Sequence, residues 1–263
     1  WKILPEEKPL PSVNLPTAFA RVLRAGLQVP VGIVHIAVSG TNQAAWMARK
    51  TLEGFPGGPE HANYYAAFLN AKQADLAKGK GGIRSWEEFK RAENEWRKSR
   101  EGKWPGGMTF CNFPTALYNT RVHPLAPFAV RGVIWHQGEG GPGGPYGERL
   151  VAMARQWREL FGHDFHFIWG TLTRNTSGSP PLDPAPAWFY RSTTNTAMRK
   201  AADLFGRDGK AAMVELYDVG DNQTHFLQKN EAGRRMALAA LTVAYGQDHV
   251  YTGPRAVDVN IAG

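Results

Sequence analysis

Residues 130–139 read Val130-Arg-Gly-Val-Ile-Trp-His-Gln-Gly-Glu139, an apolar run that stops in polar groups and passes into a glycine-rich loop, Gly140-Gly-Pro-Gly-Gly144. An apolar stretch without polar alternation is what a strand covered on both faces of a parallel sheet requires. Downstream, Tyr146–Phe161 places Leu150, Met153, Trp157 and Leu160 on one helical stripe. Phe165-His-Phe-Ile-Trp-Gly170 and Ala211-Ala-Met-Val-Glu-Leu-Tyr217 read as two further strands, and Glu231–Tyr245 as an Ala- and Leu-rich helix. Upstream, Pro16–Leu27 carries Phe19, Val22, Leu23 and Leu27 at helical spacing, with Pro16 tolerated in the first turn. Val31-Gly-Ile-Val-His-Ile-Ala-Val38 then has the character of another buried strand, ending in Ser39-Gly-Thr-Asn42, a turn whose side chains also suit a helix cap. Strands alternating with helices at these intervals predict an α/β fold with a parallel sheet covered on both faces.

Residues 48–128 interrupt this rhythm with more charge and many glycines, and about 58–104 reads as a helical insertion. Its basic run from Arg84 to Lys103 is interspersed with Glu87, Glu88, Glu93, Glu95 and Glu101, the mixed pattern of a solvated helix and not of a nucleic-acid face. The 263 residues are 43% hydrophobic and 21% charged, which excludes long disorder and collagen-like repeats. No stretch approaches the roughly 18 apolar residues of a membrane span. Thirty-one basic against 23 acidic side chains give a net charge of +8, which leaves nucleic acid or an acidic ligand open. The single cysteine, Cys111, excludes an intrachain disulfide framework and a multi-thiolate metal site. An opening on Trp1, and a close on a strand-like Val257-Asp-Val-Asn-Ile261, read as a piece of a longer polypeptide: a domain over 1–254 and the start of a further segment at 255–263.

In open parallel sheets ligands bind beyond the carboxyl ends of the strands. The groups standing there are Ser39, Gly40 and Thr41; Gln137, Gly138 and Glu139; Thr171, Thr173 and Arg174; and Asp218, Asp221, Asn222 and His225. A hydroxyl, peptide N–H donors, an amide, carboxylates and an imidazole suit acyl transfer better than hydride or phosphoryl chemistry. Gly138-x-Gly140-x-x-Gly143 matches a dinucleotide fingerprint formally, but Pro142 and Pro145 interrupt it and no carboxylate follows the next strand at Gly170-Thr171. Lys78-Gly-Lys-Gly-Gly82 lacks the ending of a phosphate loop. His163 and His166 have no partner at metal-ligand spacing, and His35 reads as a satisfied core histidine. His225 follows a polar turn with carboxylates upstream and precedes a helix; it is placed either as an oriented general base or as a surface-loop histidine.

Four stretches, in order, carry a resemblance: Val29-Pro-Val-Gly-Ile-Val with Ser39-Gly-Thr and Ala45-Trp-Met47; Pro114-Thr-Ala-Leu-Tyr-Asn119 with His123-Pro-Leu-Ala-Pro-Phe128; Gly132-Val-Ile-Trp-His-Gln-Gly-Glu139; and Asp218, His225, Lys229 and Gly233-Arg-Arg235. Over about residues 14–254 the chain resembles the sialate O-acetylesterase-like carbohydrate esterases, a branch of the SGNH (GDSL-like) hydrolases. The resemblance implies a three-layer α/β/α flavodoxin-like fold and hydrolysis of acetyl esters on sugars through an acyl-serine, with no metal and no organic cofactor. It implies His225 as base and then acid, Asp221 as its orienter, and Gly40 and Gln137 as oxyanion donors. Ser39 and Thr41 flank that glycine in the family's G-G-T block, and Glu139 would fix the loop or a substrate hydroxyl. The implied partner is an acetylated carbohydrate, with no nucleic acid and no membrane span, in a secreted or periplasmic setting; no oligomeric state follows.

The chain departs from the family in four places. Its G-Q-S-N block is absent, so the serine and the central first strand are expected upstream of Trp1, and this chain alone is expected to be inactive. Ser39 replaces the first glycine of G-G-T and is a substitute nucleophile only without the usual G-x-S-x-G elbow. Gln223 and Asn222 stand where the family carries a carboxylate, and Gly140 where it carries serine or asparagine. A catalytically inactive carbohydrate-binding relative of the same fold is the alternative.

Overall fold

A computed structural model describes residues 14–56, 91, 95, 98–99, 114–139, 145–174, 186–206, 208–221, 223 and 225–254. The chain divides into two units, Trp1–Ala37 with Leu125–Gly263, and Val38–Pro124.

The first unit opens with α1, Leu15–Leu27, whose N-terminus is capped by the Asn14 side chain accepting from the Thr17 N–H at 2.9 Å. There follow β1 (Gly132–Trp135), α3 (Tyr146–Phe161), β2 (His166–Gly170), α4 (Pro186–Phe205), β3 (Ala211–Val214) and α5 (Lys229–Tyr245); α2 (Arg49–Glu53) belongs to the second unit. The strands form a three-stranded parallel sheet in the order β1-β2-β3, with Ile134, Ile168 and Ala212 in register. Alternation along the central strand sets the layers. Ile168 joins Val214 and the α1 and α5 side chains Phe19, Leu23, Met236 and Leu241 in one core. Phe167 and Trp169 turn to the other face, where Phe167 meets the Trp157 ring of α3 at 6.3 Å and Trp169 meets Phe205 of α4 at 5.2 Å. Each such buried side chain contributes about 1.5–3 kcal/mol. The expected α/β/α layering and parallel sheet are what the residues build.

Two contacts explain how tightly the layers close. A Cβ on Gly233 of α5 would lie 2.5 Å from the Cβ of Ala18 and 2.7 Å from the backbone N of Phe19, so α1 and α5 meet backbone to backbone there. Gly147 of α3 does the same against the Ala197 carbonyl of α4, 2.3 Å from where its Cβ would stand. On the floor of the sheet the buried Arg158 guanidinium donates to Asp208 at 2.5 Å and to the Phe165 and Lys210 carbonyls at 2.9 Å each, satisfying its charge where it is covered. In the second unit Asn42 caps a short 3-10 turn, Gln43–Trp46, by accepting from the Ala45 N–H at 3.0 Å, the capping role its turn suggested.

Three expectations need correction. Val31–Val38 is not a strand: an extended run becomes one only when a neighbour takes its N–H and C=O groups, and no described residue pairs with the backbone of 31–37. It is half-buried at Val31, Ile33 and Ile36 and exposed at Gly32, Val34 and His35, so His35 is not a core histidine. The strand read as Ala211–Tyr217 stops at Val214, because Tyr217–Val219 winds into a 3-10 turn. Helix α4 was not anticipated in the sequence reading. The insertion read at about 58–104 lies outside the described residues, apart from Arg91, Glu95, Lys98 and Ser99, which are helical; 255–263 also lies outside them.

Candidate functional site

β1 ends in Trp135 and delivers His136, Gln137, Gly138 and Glu139 to the carboxyl edge of the sheet. Gly138 has φ +131°, which favours glycine, and a Cβ there would stand 3.1 Å from the Thr194 methyl and 3.5 Å from the Tyr146 hydroxyl. The loop is thereby pressed against α3 and α4. Replacing Gly138 by alanine is expected to cost about 1–3 kcal/mol, read as a lower urea midpoint with unchanged slope.

Gln137 is held from below. The buried Tyr146 hydroxyl lies 2.7 Å from the Gln137 carbonyl and 2.9 Å from its Oε1, and accepts from the Trp135 indole N–H at 3.2 Å. His136 points the other way, its side chain only 14% exposed, with Nδ1 3.5 Å from a Glu139 carboxylate oxygen. Burial holds this imidazole below its ordinary range; Glu139 opposes the shift, while Lys229 and Arg191 add to it.

The His225 turn reaches the same edge. Phe226 is buried with its ring 5.8 Å from the His136 ring, and Lys229 Nζ caps the Phe226 ring at 3.4 Å. Asp221 ties the turn from its start, Oδ1 accepting from the Gln223 N–H and Oδ2 from the Leu227 N–H, both at 2.8 Å. His225 itself is exposed, and no hydrogen bond joins it to Asp221. The contact of His136 with Phe226 thus joins the direct neighbours of Gln137 and His225 in sequence. Burial lowers the Lys229 pKa below its ordinary value, against the pull of Glu139 and Asp221.

Other groups named from the sequence have structural duties. Thr171 donates to Glu215 at 2.5 Å and accepts from the Leu216 N–H, which splices β2 to the end of β3. Leu172 exchanges two hydrogen bonds with the Asn195 amide of α4, and the Thr173 carbonyl accepts from Arg191 at 2.6 Å. Asp218 is gripped by both Arg235 terminal nitrogens at 2.6 Å. In the second unit Ser39 is exposed, Gly40 takes φ +70°, and Thr41 is buried, donating to the Val38 carbonyl and accepting from the Trp46 indole. Asn222 and Gly140 lie outside the described residues. Among the described residues no group of three or more His, Cys, Asp or Glu side chains is arranged to hold a metal ion. No described helix is long and apolar enough to cross a membrane.

The Arg235 cluster carries a pH prediction. Hydrogen bonds from Arg234, and then from Arg235, hold the Glu231 carboxyl at about 2, and Arg235 holds Asp218 below its usual range. A lowered folded pKa contributes stability that is complete above the unfolded value of about 4.3. That contribution is lost as pH falls toward 2. Urea midpoints at pH 6 and pH 3 should therefore differ less in Glu231→Gln than in the unaltered chain.

His136 and Tyr146 were not singled out in the sequence. His136 lies inside the run Trp135-His-Gln-Gly-Glu139 at the end of an apolar strand, the one signal that could have marked it; nothing local marks Tyr146.

No family model matches the chain. It is 25% identical over 269 residues to sialate O-acetylesterase of Mus musculus, covering 90% of this chain and 43% of that protein. It is 26% identical over 163 residues to sialate O-acetylesterase of Homo sapiens, covering 53% of this chain and 29% of the relative. Among solved structures, a carbohydrate acetylesterase from Xanthomonas citri superposes with a TM-score of 0.61 at 28% identity, covering 91% of this chain and 43% of that one. The chain spans less than half the length of these relatives. The resemblance to sialate O-acetylesterase-like carbohydrate esterases, first carried by four short motifs, extends over nine-tenths of the chain.

Proposed function

We propose that these residues form part of a carbohydrate O-acetylesterase that works through an acyl-serine, with the serine supplied by polypeptide outside residues 1–263. His225 takes the serine proton as the hydroxyl oxygen attacks the acetyl carbonyl. The oxyanion that forms accepts from the Gln137 amide, such a donor being worth about 10²–10³ in rate. His225 then returns the proton to the departing sugar oxygen, and water frees acetate from the serine. Asp221 orients His225 by fixing the turn, and each of its oxygens keeps a second lone pair. Glu139 holds the loop or a substrate hydroxyl.

The observation that supports this reading is the His136 ring lying 5.8 Å from that of Phe226, which brings the turn containing His225 to the end of β1, where Gln137 stands. An upstream strand is supported by two features: among the described residues, no strand pairs with the outer edge of β1, and none pairs with the backbone of 31–37. Expression with the native upstream coding sequence should give turnover of 4-nitrophenyl acetate, while residues 1–263 alone give none. Turnover by residues 1–263 that disappears in Ser39→Ala would make Ser39 the nucleophile instead. A second reading, a glycan-binding relative without catalysis, is favoured by the engagement of both Asp221 oxygens with backbone N–H groups. Binding of an O-acetylated sugar by the longer protein without acetate release would establish it.

A further inference from the structure

The phenol of Tyr146 sits in an unusual position for a buried tyrosine, within hydrogen-bond reach of two oxygens of one residue, the Gln137 carbonyl at 2.7 Å and its side-chain Oε1 at 2.9 Å. A phenol has one proton to give, and Trp135 Nε1–H already fills one of its lone pairs from 3.2 Å. With the indole donating in, the hydroxyl hydrogen is directed to the Gln137 side of the oxygen. There it is shared between the two acceptors.

We propose that Tyr146, oriented by Trp135, is a positioning residue that fixes the Gln137 amide with its oxygen inward and its NH₂ group toward the acyl site. This deepens the reading of Gln137 as an oxyanion donor and rests on it. A glutamine amide has an acceptor end and a donor end of nearly the same shape, and only the donor end stabilises an oxyanion. A terminal amide that turned freely would present the wrong end part of the time. The phenol limits that freedom by sharing its proton with Oε1, an interaction that an NH₂ group in the same place could not accept. Burial pushes the Tyr146 hydroxyl above its ordinary pKa, with Glu139 adding to the effect and the Trp135 hydrogen bond opposing it, so the group remains a donor at any working pH. A side chain at Gly138 would crowd this arrangement, since its Cβ would stand 3.1 Å from the Thr194 methyl, 3.4 Å from the Met198 methyl and 3.5 Å from the Tyr146 oxygen.

The test is a double-mutant cycle in the protein expressed with its native upstream sequence, reading kcat and KM on 4-nitrophenyl acetate. Gln137→Ala should lower kcat by about 10²–10³. Tyr146→Phe, which keeps the ring, should lower kcat by about tenfold with KM within about twofold. The double variant should be no slower than Gln137→Ala alone, because the phenol acts only through the amide. Undiminished kcat in Tyr146→Phe, or losses that multiply in the double variant, overturn the proposal while leaving Gln137 its role. A Gln137→Ala enzyme within threefold of the original overturns the oxyanion reading itself, and this proposal with it.

A second measurement needs no turnover. In the protein expressed with its native upstream sequence and labelled with ¹⁵N-glutamine, the Gln137 NH₂ signals should show no strong nuclear Overhauser contact with the Trp135 indole proton. Strong contacts would put the NH₂ against the phenol and overturn the proposal.

Discussion

Replacing His225 by alanine should lower kcat for an acetyl ester by about 10³-fold in the protein expressed with its native upstream sequence, within the range of 10²–10⁴ for loss of a general acid–base. The same substitution should leave stability within about 0.5 kcal/mol, because the side chain is exposed and no described residue hydrogen-bonds to it. That pairing separates chemistry from folding. A histidine that merely decorated a surface loop would move neither quantity, and one that held the turn together would move both. The turn has its own anchors, Phe226 against His136 and Asp221 on two backbone N–H groups, so it keeps its shape when the imidazole is removed. Steady-state kinetics and urea unfolding of the same preparation read both quantities.

Gly233→Val is expected to have the largest effect on folding, about 3 kcal/mol or more, at the upper end of what overpacking costs. A Cβ there would lie 2.5 Å from the Ala18 Cβ, 2.7 Å from the Phe19 N and 2.9 Å from the Leu15 carbonyl. Two of these neighbours are backbone, so no rotamer change relieves the clash and α1 must move off α5. That motion opens the core that Phe19 and Leu23 share with Met236 and Leu241. Gly253→Val is the control, since nothing stands within 4 Å of its Cβ position and its unfolding midpoint should be unchanged. The glycine of Gly233-Arg-Arg235, met first as a family motif, is thus a packing residue, and Arg235 is the clamp on Asp218.

Where residues carry their own periodicity, the sequence was enough. Helix α3 begins at Tyr146 and ends at Phe161 as its stripe of Leu150, Met153 and Trp157 requires, and the apolar runs before His136 and Thr171 are strands. Val31–Val38 has the composition of a strand, but strand formation needs a ladder partner that no local pattern supplies. Helix α4 was missed for the opposite reason. Its stretch Ser192-Thr-Thr-Asn-Thr196 is poor in helix formers, and its contacts are tertiary: Asn195 clamps Leu172, and Met198 and Ala201 are buried. The sequence reading put Gln137 and His225 beyond strand ends, and they do follow β1 and β3. Their supports were not legible, because Tyr146 lies nine residues from Gln137 and is brought beneath it only when α3 folds back on β1.

The central claim is that one acetyl group meets both His225 and Gln137. Titrating an O-acetylated sialic acid into isotope-labelled residues 1–263 tests it without any need for a nucleophile. The account predicts nuclear Overhauser contacts from the acetyl methyl to the His225 ring and to the Gln137 amide in the same complex. Contacts to only one of the two, or a bound sugar whose acetyl group touches neither, would contradict it.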